Sequence, residues 1–399
     1  MDLNAALIVT GSVFLWGALS ARLQRADLTA PIVFVAIGAL LTLLGVVDTP
    51  EETEGLKLLV EVTLVWVLFS DAARVPVREL RDAPGHYVRL LAVGLPLTVL
   101  AGWGLAWVMF PAAGAWVALL VAAALAPTDA ALGIPVVTNP VVPERVRRLI
   151  TVESGLNDGI ATPVVMLAIA AVAAEEGFAG SLKPGTALVS LLGGVLVGGL
   201  VGLGGGGTLR WTRRYGWATE DLTGVAVLAL ALVAYLAALV LDVNGFVAAF
   251  CGGLAFGAAA GRRGPSELVF VEQSAWLVSL LVWLAFGAVV GPIILERATP
   301  MMAVYAVLSL TVIRMAPVAL ACLGAGFDRS TVLFIGWFGP RGLATLVFAL
   351  LALEDLGPTV DQAVAVIGLT VLLSVVAHGL TAAPLAARYG RDHAATPSG

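Results

Sequence analysis

The chain has 399 residues, of which 60% are hydrophobic and only 12% are charged, and its mean hydropathy is +0.99. A soluble domain is typically about 45–50% apolar and about 25% charged, so this composition excludes a soluble globular protein and predicts an all-α polytopic membrane protein. The net charge of −5 excludes little by itself, because the positions of the charges matter more than their sum.

Thirteen stretches of the sequence are apolar enough to cross a membrane, since a spanning helix needs about 20 mostly apolar residues. The connections between them are short, so we expect one integral membrane unit, and residues 386–399 are predicted to form a short cytoplasmic tail. The predicted spans are 4–22, 29–47, 56–73, 88–109, 114–138, 146–173, 185–207, 222–241, 244–261, 270–294, 300–324, 330–353 and 362–385.

The basic residues alternate along this series of spans. Of the 22 Lys and Arg residues, 17 lie in or beside the odd-numbered loops and the tail, whereas Lys57, Lys183 and Arg297 lie at the even-numbered loops. Cytoplasmic loops collect Lys and Arg. The pattern predicts a multi-pass protein of the cell inner membrane with its N-terminus outside and its C-terminus in the cytoplasm. The remaining two, Arg314 and Arg341, fall inside spans, where charges persist only if they pair, line water or serve transport.

The fifth span contains helix-breaking residues at membrane depth, namely Pro127, Gly133 and Pro135. Proline removes a backbone donor and clashes with the preceding turn, so the helix is predicted to unwind here. Unwound backbone is tolerated at this depth only where it lines a cavity or is buried in protein. The freed carbonyls and the Thr128 hydroxyl, beside Asp129, suit a small hard cation.

The twelfth span has a matching break, in which Gly339, Pro340 and Gly342 surround Arg341. Spans five and twelve are seven apart, which is the offset of two repeated halves, spans 1–6 and 8–13, joined by span seven. An odd offset inverts the second half. The sequence therefore predicts two inverted six-helix repeats with broken crossing helices 5 and 12, an architecture typical of secondary transporters.

The sixth span carries two acids, Glu153 and Asp158, which are five residues apart and so point in different directions. Ser154 shares the face of Asp158, and Asn157 shares the face of Glu153. Arginine stays charged when buried and pairs with carboxylates in a fixed geometry, so Arg314 is the expected partner of Glu153. That pairing leaves Asp158 as the unpaired, titratable carboxylate.

With these motifs the chain resembles the monovalent cation:proton antiporters, in the branch of NhaP-type bacterial exchangers and animal sodium/proton exchangers. The order and spacing match along nearly the whole chain, although the family usually has a proline where this chain has Ala130. The matching segments are 128–129 (TD), 153–159 (ESGLNDG), 244–254 (NGFVAAFCGGL), 286–291 (FGAVVG), Arg314 and 336–342 (GWFGPRG).

The resemblance implies a homodimer in which each chain has two parts. The dimerisation, or scaffold, part would comprise residues 1–73 and 185–294. The moving, ion-binding core would comprise residues 88–173 and 300–385.

The resemblance also implies roles for individual residues. Asp158, which follows Asn157, would carry the ion and the proton. Thr128, Asp129 and Ser154 would help to ligate Na⁺ or its waters.

Three further positions complete the implied site. Glu153 and Arg314 would form a buried structural pair, and Arg341 would stabilise the helix break or neutralise an acid. One acid of span three would lie near the site, and the sequence does not decide between Glu61 and Asp71.

The charge of Asp158 predicts the transport activity. A carboxylate in an apolar cavity is disfavoured when charged, so H⁺ and a cation would compete for it. With either bound the site is neutral and can cross the apolar barrier, whereas the empty site carries a buried charge that is costly to move. We therefore expect a secondary antiporter that exchanges Na⁺ or Li⁺ for H⁺ and serves pH homeostasis. Because Asn157 is neutral, the expected exchange is electroneutral, one cation for one proton.

Other functions stay open. K⁺/H⁺ exchange in the same fold is the nearest alternative, and a channel or another solute carrier is a more distant one. An enzyme is not favoured, because the sequence has no paired metal-binding acids, serine–histidine arrangement or cofactor motif. The histidines, His86, His378 and His393, form no cluster. We expect no cofactor and no nucleic-acid partner.

Overall fold

The computed structural model describes residues 3–25, 28–46, 54–75, 84–177, 184–261 and 264–394, and all further structural statements concern these residues. Within them the chain forms helices and no strand. The predicted loop residues Arg78, Arg81, Lys183, Arg262 and Arg263 lie outside the described residues.

Seventeen α-helices follow one another in the described residues, with short 3₁₀ and π segments between some of them. They are α1 Leu3–Arg25, α2 Ala30–Leu43, α3 Glu54–Arg74, α4 Pro84–Arg89, α5 Leu95–Met109, α6 Gly114–Leu125, α7 Ile134–Val137, α8 Glu144–Glu175, α9 Pro184–Arg214, α10 Glu220–Val240, α11 Gly245–Ala259, α12 Gly264–Arg297, α13 Pro300–Leu310, α14 Val312–Ala321, α15 Arg329–Trp337, α16 Leu343–Leu356 and α17 Asp361–Ala394.

The predicted all-α membrane class is confirmed at this level. Eight helices among the described residues are long and apolar enough to cross a membrane. Several predicted spans correspond to pairs of shorter helices, such as α13 with α14 and α15 with α16. The count of thirteen crossings and the inverted repeat stay predictions.

The helices differ from the predicted spans at several limits and at one interruption. The helix expected to end at 385 continues to Ala394, because Tyr389 is buried, stacks on Phe334 and shares a hydrogen bond with Thr331. The predicted helix end at 385 is therefore wrong, whereas the cytoplasmic tail stays a prediction. The eleventh span is interrupted at Thr311, where the backbone adopts φ −111° and ψ −91°.

The backbone leaves the helical conformation where the prolines and glycines of spans five and twelve predict. α6 ends at Leu125 and residues 126–129 are not helical, while α15 ends at Trp337 and residues 338–342 are not helical. The two breaks touch each other, since the Asp129 amide donates to the Pro340 carbonyl at 2.8 Å.

Glycines allow the remaining helices to approach closely. A Cβ atom on Gly198 or Gly202 of α9 would lie 2.1 Å from a backbone carbonyl of α11. The glycine-rich end of span seven is thus a close-packing surface, although Gly204 faces open space. Small residues at helix contacts are typical of membrane bundles, where packing replaces the hydrophobic effect.

Helix contacts place most of the helices in two groups. α2, α3 and α9 to α12 pack among themselves, and α5, α6, α8 and α13 to α17 do the same. The groups meet where α3 contacts α8 and α16, and where α12 contacts α16 and α17. The broken segments and the acidic middle of α8 lie beside this boundary.

Candidate ion-binding site

Hydroxyl and amide groups of the first break and of α8 meet. The Thr128 hydroxyl lies 3.0 Å from the Ser154 hydroxyl and accepts a 2.7 Å hydrogen bond from the Asn157 amide nitrogen. All three side chains are buried. The amide oxygen of Asn157 is also buried and has no hydrogen-bond partner in the described part of the chain. The site therefore contains oxygen atoms that a cation or a water molecule can use.

Asp158 differs from these neighbours because its carboxylate is unpaired. Among the described residues it accepts no hydrogen bond and forms no ion pair, although the residue is only 7% exposed. It lines two cavities of about 620 Å³ and about 370 Å³. An unpaired carboxylate at membrane depth is sustainable where a cavity admits water.

The two cavities lead from the site towards one end of the helices. The larger one reaches Arg147 and Arg148 near the start of α8, and Arg74 at the end of α3 lines both. Arg74 forms an ion pair with Glu272, which lines the smaller cavity. The open end is therefore the arginine-rich end of the molecule.

Asp71 is the acid of α3 that approaches Asp158. Asp71, Asp129 and Asp158 line both cavities, whereas Glu61 lines neither. α3 and α8 are in van der Waals contact here, since a Cβ atom on Gly155 would lie 3.5 Å from the Asp71 carbonyl oxygen. Of the two acids of span three that the sequence left open, Asp71 is therefore the one that lies near Asp158.

The Asp129 side chain connects the two breaks instead of pointing only into the cavity. One carboxylate oxygen accepts a 3.1 Å hydrogen bond from the Leu343 amide at the start of α16. Gly342 is needed beside it, because a Cβ atom there would lie 2.0 Å from that same oxygen. Asp129 therefore fixes the start of α16 and also lines the cavity.

Glu153 and Arg314 contact each other as expected, with 2.6 Å between Glu153 Oε1 and an Arg314 terminal nitrogen. Both are buried, at 3% and 1% exposure of the side chain. A buried ion pair has little net stabilising value, but loss of one partner leaves an uncompensated charge. The contact joins α8 to α14 on the side of α8 away from the cavities.

Arg341 lies at the crossing of the two breaks and is fully buried. Its guanidinium donates to the carbonyls of Gly339 at 2.9 Å, Pro127 at 3.4 Å and Ser309 at 3.5 Å. These carbonyls follow or lie near helix C-termini, where the backbone carries partial negative charge. Arg341 thus stabilises the crossing through carbonyl oxygens.

Sequence reasoning missed two contributors to this crossing. Ser309 supplies its carbonyl because the helix is interrupted just after it, and Ser374 of α17 accepts a 2.8 Å hydrogen bond from the Arg341 amide. A signal for Ser374 existed, since polar residues recur along one face of an otherwise apolar helix.

This chain is similar to known cation/proton antiporters. A family model described as the transmembrane sodium/hydrogen exchanger matches residues 9–388. The K(+)/H(+) antiporter NhaP of Alkalimonas amylolytica is 26% identical over 359 residues, which cover 87% of this chain and 60% of that protein. The uncharacterized Na(+)/H(+) exchanger YjcE of Escherichia coli K12 is 28% identical over 277 residues, which cover 68% of this chain and 49% of that protein. The chain thus spans at most about 60% of the length of these relatives.

A solved structure shows the same fold. The sodium proton antiporter MjNhaP1 of Methanocaldococcus jannaschii at pH 8 matches with a TM-score of 0.79 and 20% sequence identity. The match covers 98% of this chain and 100% of that one.

The Glu153→Gln substitution tests the structural role of the buried pair. It should lower the free energy of unfolding by about 3–5 kcal/mol, because Arg314 stays buried without a compensating charge. The measurements are the yield of monodisperse protein and its melting temperature in detergent. Glu144→Gln is the matched control, since its ion pair with Arg148 is on the same helix but exposed and contributes at most about 1 kcal/mol. Normal yield and melting temperature with lost transport would show that Glu153 is a ligand instead.

Proposed function

This chain belongs to the sodium/hydrogen exchanger family, and on that premise we propose that it is a secondary antiporter that exchanges a monovalent cation for H⁺ at Asp158. The observation that supports this most is the unpaired Asp158 carboxylate between two cavities. A group held in this way has no fixed counter-charge, so a mobile cation or a proton must supply one.

Competition for one negative charge gives obligatory exchange. When H⁺ or a cation is bound, the site is neutral and can pass through an apolar surrounding. When the site is empty, the carboxylate charge is uncompensated, and its transfer into low dielectric is costly. The loaded forms therefore move and the empty form does not.

The oxygen atoms around Asp158 suit a partly dehydrated alkali cation. We propose Thr128, Ser154 and Asp129 as further ligands of Na⁺ or of its waters, with the Asn157 amide oxygen beside them. Hard cations prefer carboxylate, hydroxyl and carbonyl oxygens. Asp71 adds a third carboxylate at the junction of the cavities and raises the local cation concentration.

Na⁺, with Li⁺, is the first candidate for the transported cation. K⁺ is the second, because the NhaP relative that covers 87% of this chain is named a K(+)/H(+) antiporter. Both use the same carboxylate, and they differ in how much hydration the site must replace. The neutral Asn157 beside Asp158 supports one proton for one cation in either case.

The boundary between the helix groups is open at one end and joined by ion pairs at the other, and this difference supports alternating access. At the end that carries Arg74, both cavities are open, and the charge pattern assigns this end to the cytoplasm. At the opposite end, Lys57 pairs with Asp355 at 2.7 Å and Arg297 pairs with Asp361 at 3.5 Å.

Both of these ion pairs join the two groups, from α3 to α16 and from α12 to α17. With the predicted orientation, these features support the proposal of an inward-open state that is closed at its outer end. We propose that residues 88–173 and 300–385 move as the core against a scaffold formed by 1–73 and 185–294, and that the scaffold forms a homodimer.

Asp158→Asn tests the carrier role. The variant should abolish exchange, because an amide cannot release a proton or balance a cation. Proton flux in proteoliposomes is followed by dequenching after addition of Na⁺, Li⁺ or K⁺ separately, which also ranks the cations. Glu61→Gln is the control, since Glu61 lies on α3 away from both cavities, and it should keep exchange within about twofold of wild type. Appreciable cation-driven flux from Asp158→Asn would refute the single-carrier proposal.

Membrane voltage tests the stoichiometry. One cation exchanged for one proton moves no net charge, so the initial rate should not change when valinomycin and K⁺ gradients impose an inside-positive or inside-negative potential. Na⁺-driven flux at fixed internal pH is the measurement. Clear acceleration by one polarity would show that more than one proton is exchanged per cation.

Removal of the ion pairs at the closed end tests the proposed conformation. Lys57→Gln combined with Arg297→Gln should open that end, although each exposed pair contributes at most about 1 kcal/mol. Hydrogen–deuterium exchange in lipid nanodiscs should show faster uptake in the first turn of α3 and the last turn of α16. Arg148→Gln, which breaks an exposed pair at the cavity end, is the control. Equal uptake in both variants would mean that the pairs do not hold the outer end closed.

A further inference from the structure

One face of α17 is polar, and the proposed exchange at Asp158 assigns no role to it. Ser374, His378 and Thr381 recur at helical spacing on the same face, within a helix that is otherwise largely apolar. Ser374 and His378 are fully or almost fully buried. Buried polar groups need partners, and here the partners lie in the break between α15 and α16.

His378 contacts the residue at which α15 ends. Its Nε2 atom lies 2.8 Å from the Trp337 carbonyl; a carbonyl only accepts, so this hydrogen bond forms in the tautomer that carries a hydrogen on Nε2. Its Nδ1 atom faces the carbonyl and the hydroxyl of Ser374, at 2.9 Å and 3.2 Å. The imidazole also stacks on the Trp337 indole, with 5.1 Å between the ring centroids. The ring is therefore held by stacking against Trp337 and by contacts at both of its nitrogens.

The other two residues bind the same break. The Ser374 hydroxyl accepts from the Arg341 amide at 2.8 Å, and the Thr381 hydroxyl accepts from the Trp337 indole nitrogen at 3.0 Å. A helix end leaves carbonyl and amide groups without intrahelical partners. The α17 face supplies such partners on both sides of the break, at Trp337 and at Arg341.

Residues of this break contact the proposed cation ligands directly. Pro340 accepts from the Asp129 amide, and the Leu343 amide donates to the Asp129 carboxylate. A Cβ atom on Gly339 would lie 2.9 Å from the Thr128 Cγ2 atom, so the break also packs against Thr128. A shift of residues 338–342 would therefore displace Thr128 and Asp129 relative to Asp158.

We propose that His378 is a positioning residue for the cation site: its hydrogen bond to the Trp337 carbonyl fixes the broken crossing against which Thr128 and Asp129 are set. The inference rests on the proposed exchange function, because it assigns His378 to the same site. His378 does not touch the cation. Its removal should therefore change how well the site fits the cation more than it changes the maximal rate.

Two substitutions of His378 separate its hydrogen bond from its packing. His378→Phe keeps an aromatic ring against Trp337 and removes the donor, whereas His378→Gln can place an amide N–H near the position of Nε2. His86→Phe is the control, because His86 Nε2 lies 3.0 Å from the Ala325 carbonyl and 2.7 Å from an Arg145 nitrogen, and neither of these partners belongs to the break. Two quantities are measured: the apparent KM and maximal rate of cation-driven proton flux, and the cation concentration that gives half-maximal thermal stabilisation.

His378→Phe should raise both the KM and the half-maximal concentration about fivefold or more, with a maximal rate within about twofold of wild type. His378→Gln and His86→Phe should stay within about twofold of wild type in every quantity. A purely structural role would lower the yield and the maximal rate of His378→Phe and leave its KM unchanged, which would overturn the inference. His378→Gln behaving like His378→Phe would also overturn it.

The same measurements distinguish this inference from the proposed function. If wild type is stabilised by the cation and exchanges it, but His378→Phe has the wild-type half-maximal concentration, only the positioning role is wrong. If wild type neither exchanges nor is stabilised by Na⁺, Li⁺ or K⁺, the proposed function fails, and the positioning role fails with it.

Discussion

A carboxylate at membrane depth is tolerated under two conditions: a fixed cation compensates its charge, or water reaches it. α8 holds one carboxylate in each condition. Glu153 is buried 2.6 Å from Arg314, and Asp158 opens into two cavities. Five residues turn a helix by about 140°, so the two acids face different neighbours although they are less than two turns apart. One helix can thus carry a permanent charge pair and an exchangeable charge.

A second buried arginine, Arg341, would neutralise the Asp158 carboxylate if its guanidinium contacted that carboxylate. Arg341 does not, because its donors are directed to the carbonyls of Gly339, Pro127 and Ser309. Helix C-termini carry about half a negative charge each, and the crossing brings such ends together. The guanidinium therefore offsets backbone charge, and Asp158 keeps no fixed counter-charge among the described residues. Breaking the helices creates both the carbonyl oxygens and the requirement for this arginine.

Much of the site follows from local chemistry that the sequence displays. Prolines and glycines marked both breaks, and the Glu153–Arg314 contact followed from the rule that buried charges pair. The choice between Glu61 and Asp71 did not follow, because both are acids in one apolar helix. What decides it is that Asp71 lines both cavities beside α8 and Glu61 lines neither, which is a property of packing.

Two other features were beyond sequence reasoning for a similar reason. His378 stands alone in the sequence, and its partner is a backbone carbonyl 41 residues away at a helix end that exists only because span twelve is broken. Residues 386–394 are polar enough to predict a tail, yet the burial of Tyr389 against Phe334 continues the helix. In both cases a tertiary partner overrides the local pattern.

The distribution of contacts indicates where the molecule can change shape. Within one helix group, Gly198 and Gly202 bring backbones together so closely that no Cβ atom fits, and such packing resists sliding. Across the boundary between the groups, the end opposite the cavities is joined by exposed ion pairs, which are weak and easily exchanged for water. The site lies on this boundary. In the proposed exchange, a relative movement of the groups would break these ion pairs and also rearrange tight packing at the boundary, such as that of Gly159 against Phe250. It would transfer access to Asp158 from one end to the other while the crossing of the two breaks stays intact within one group.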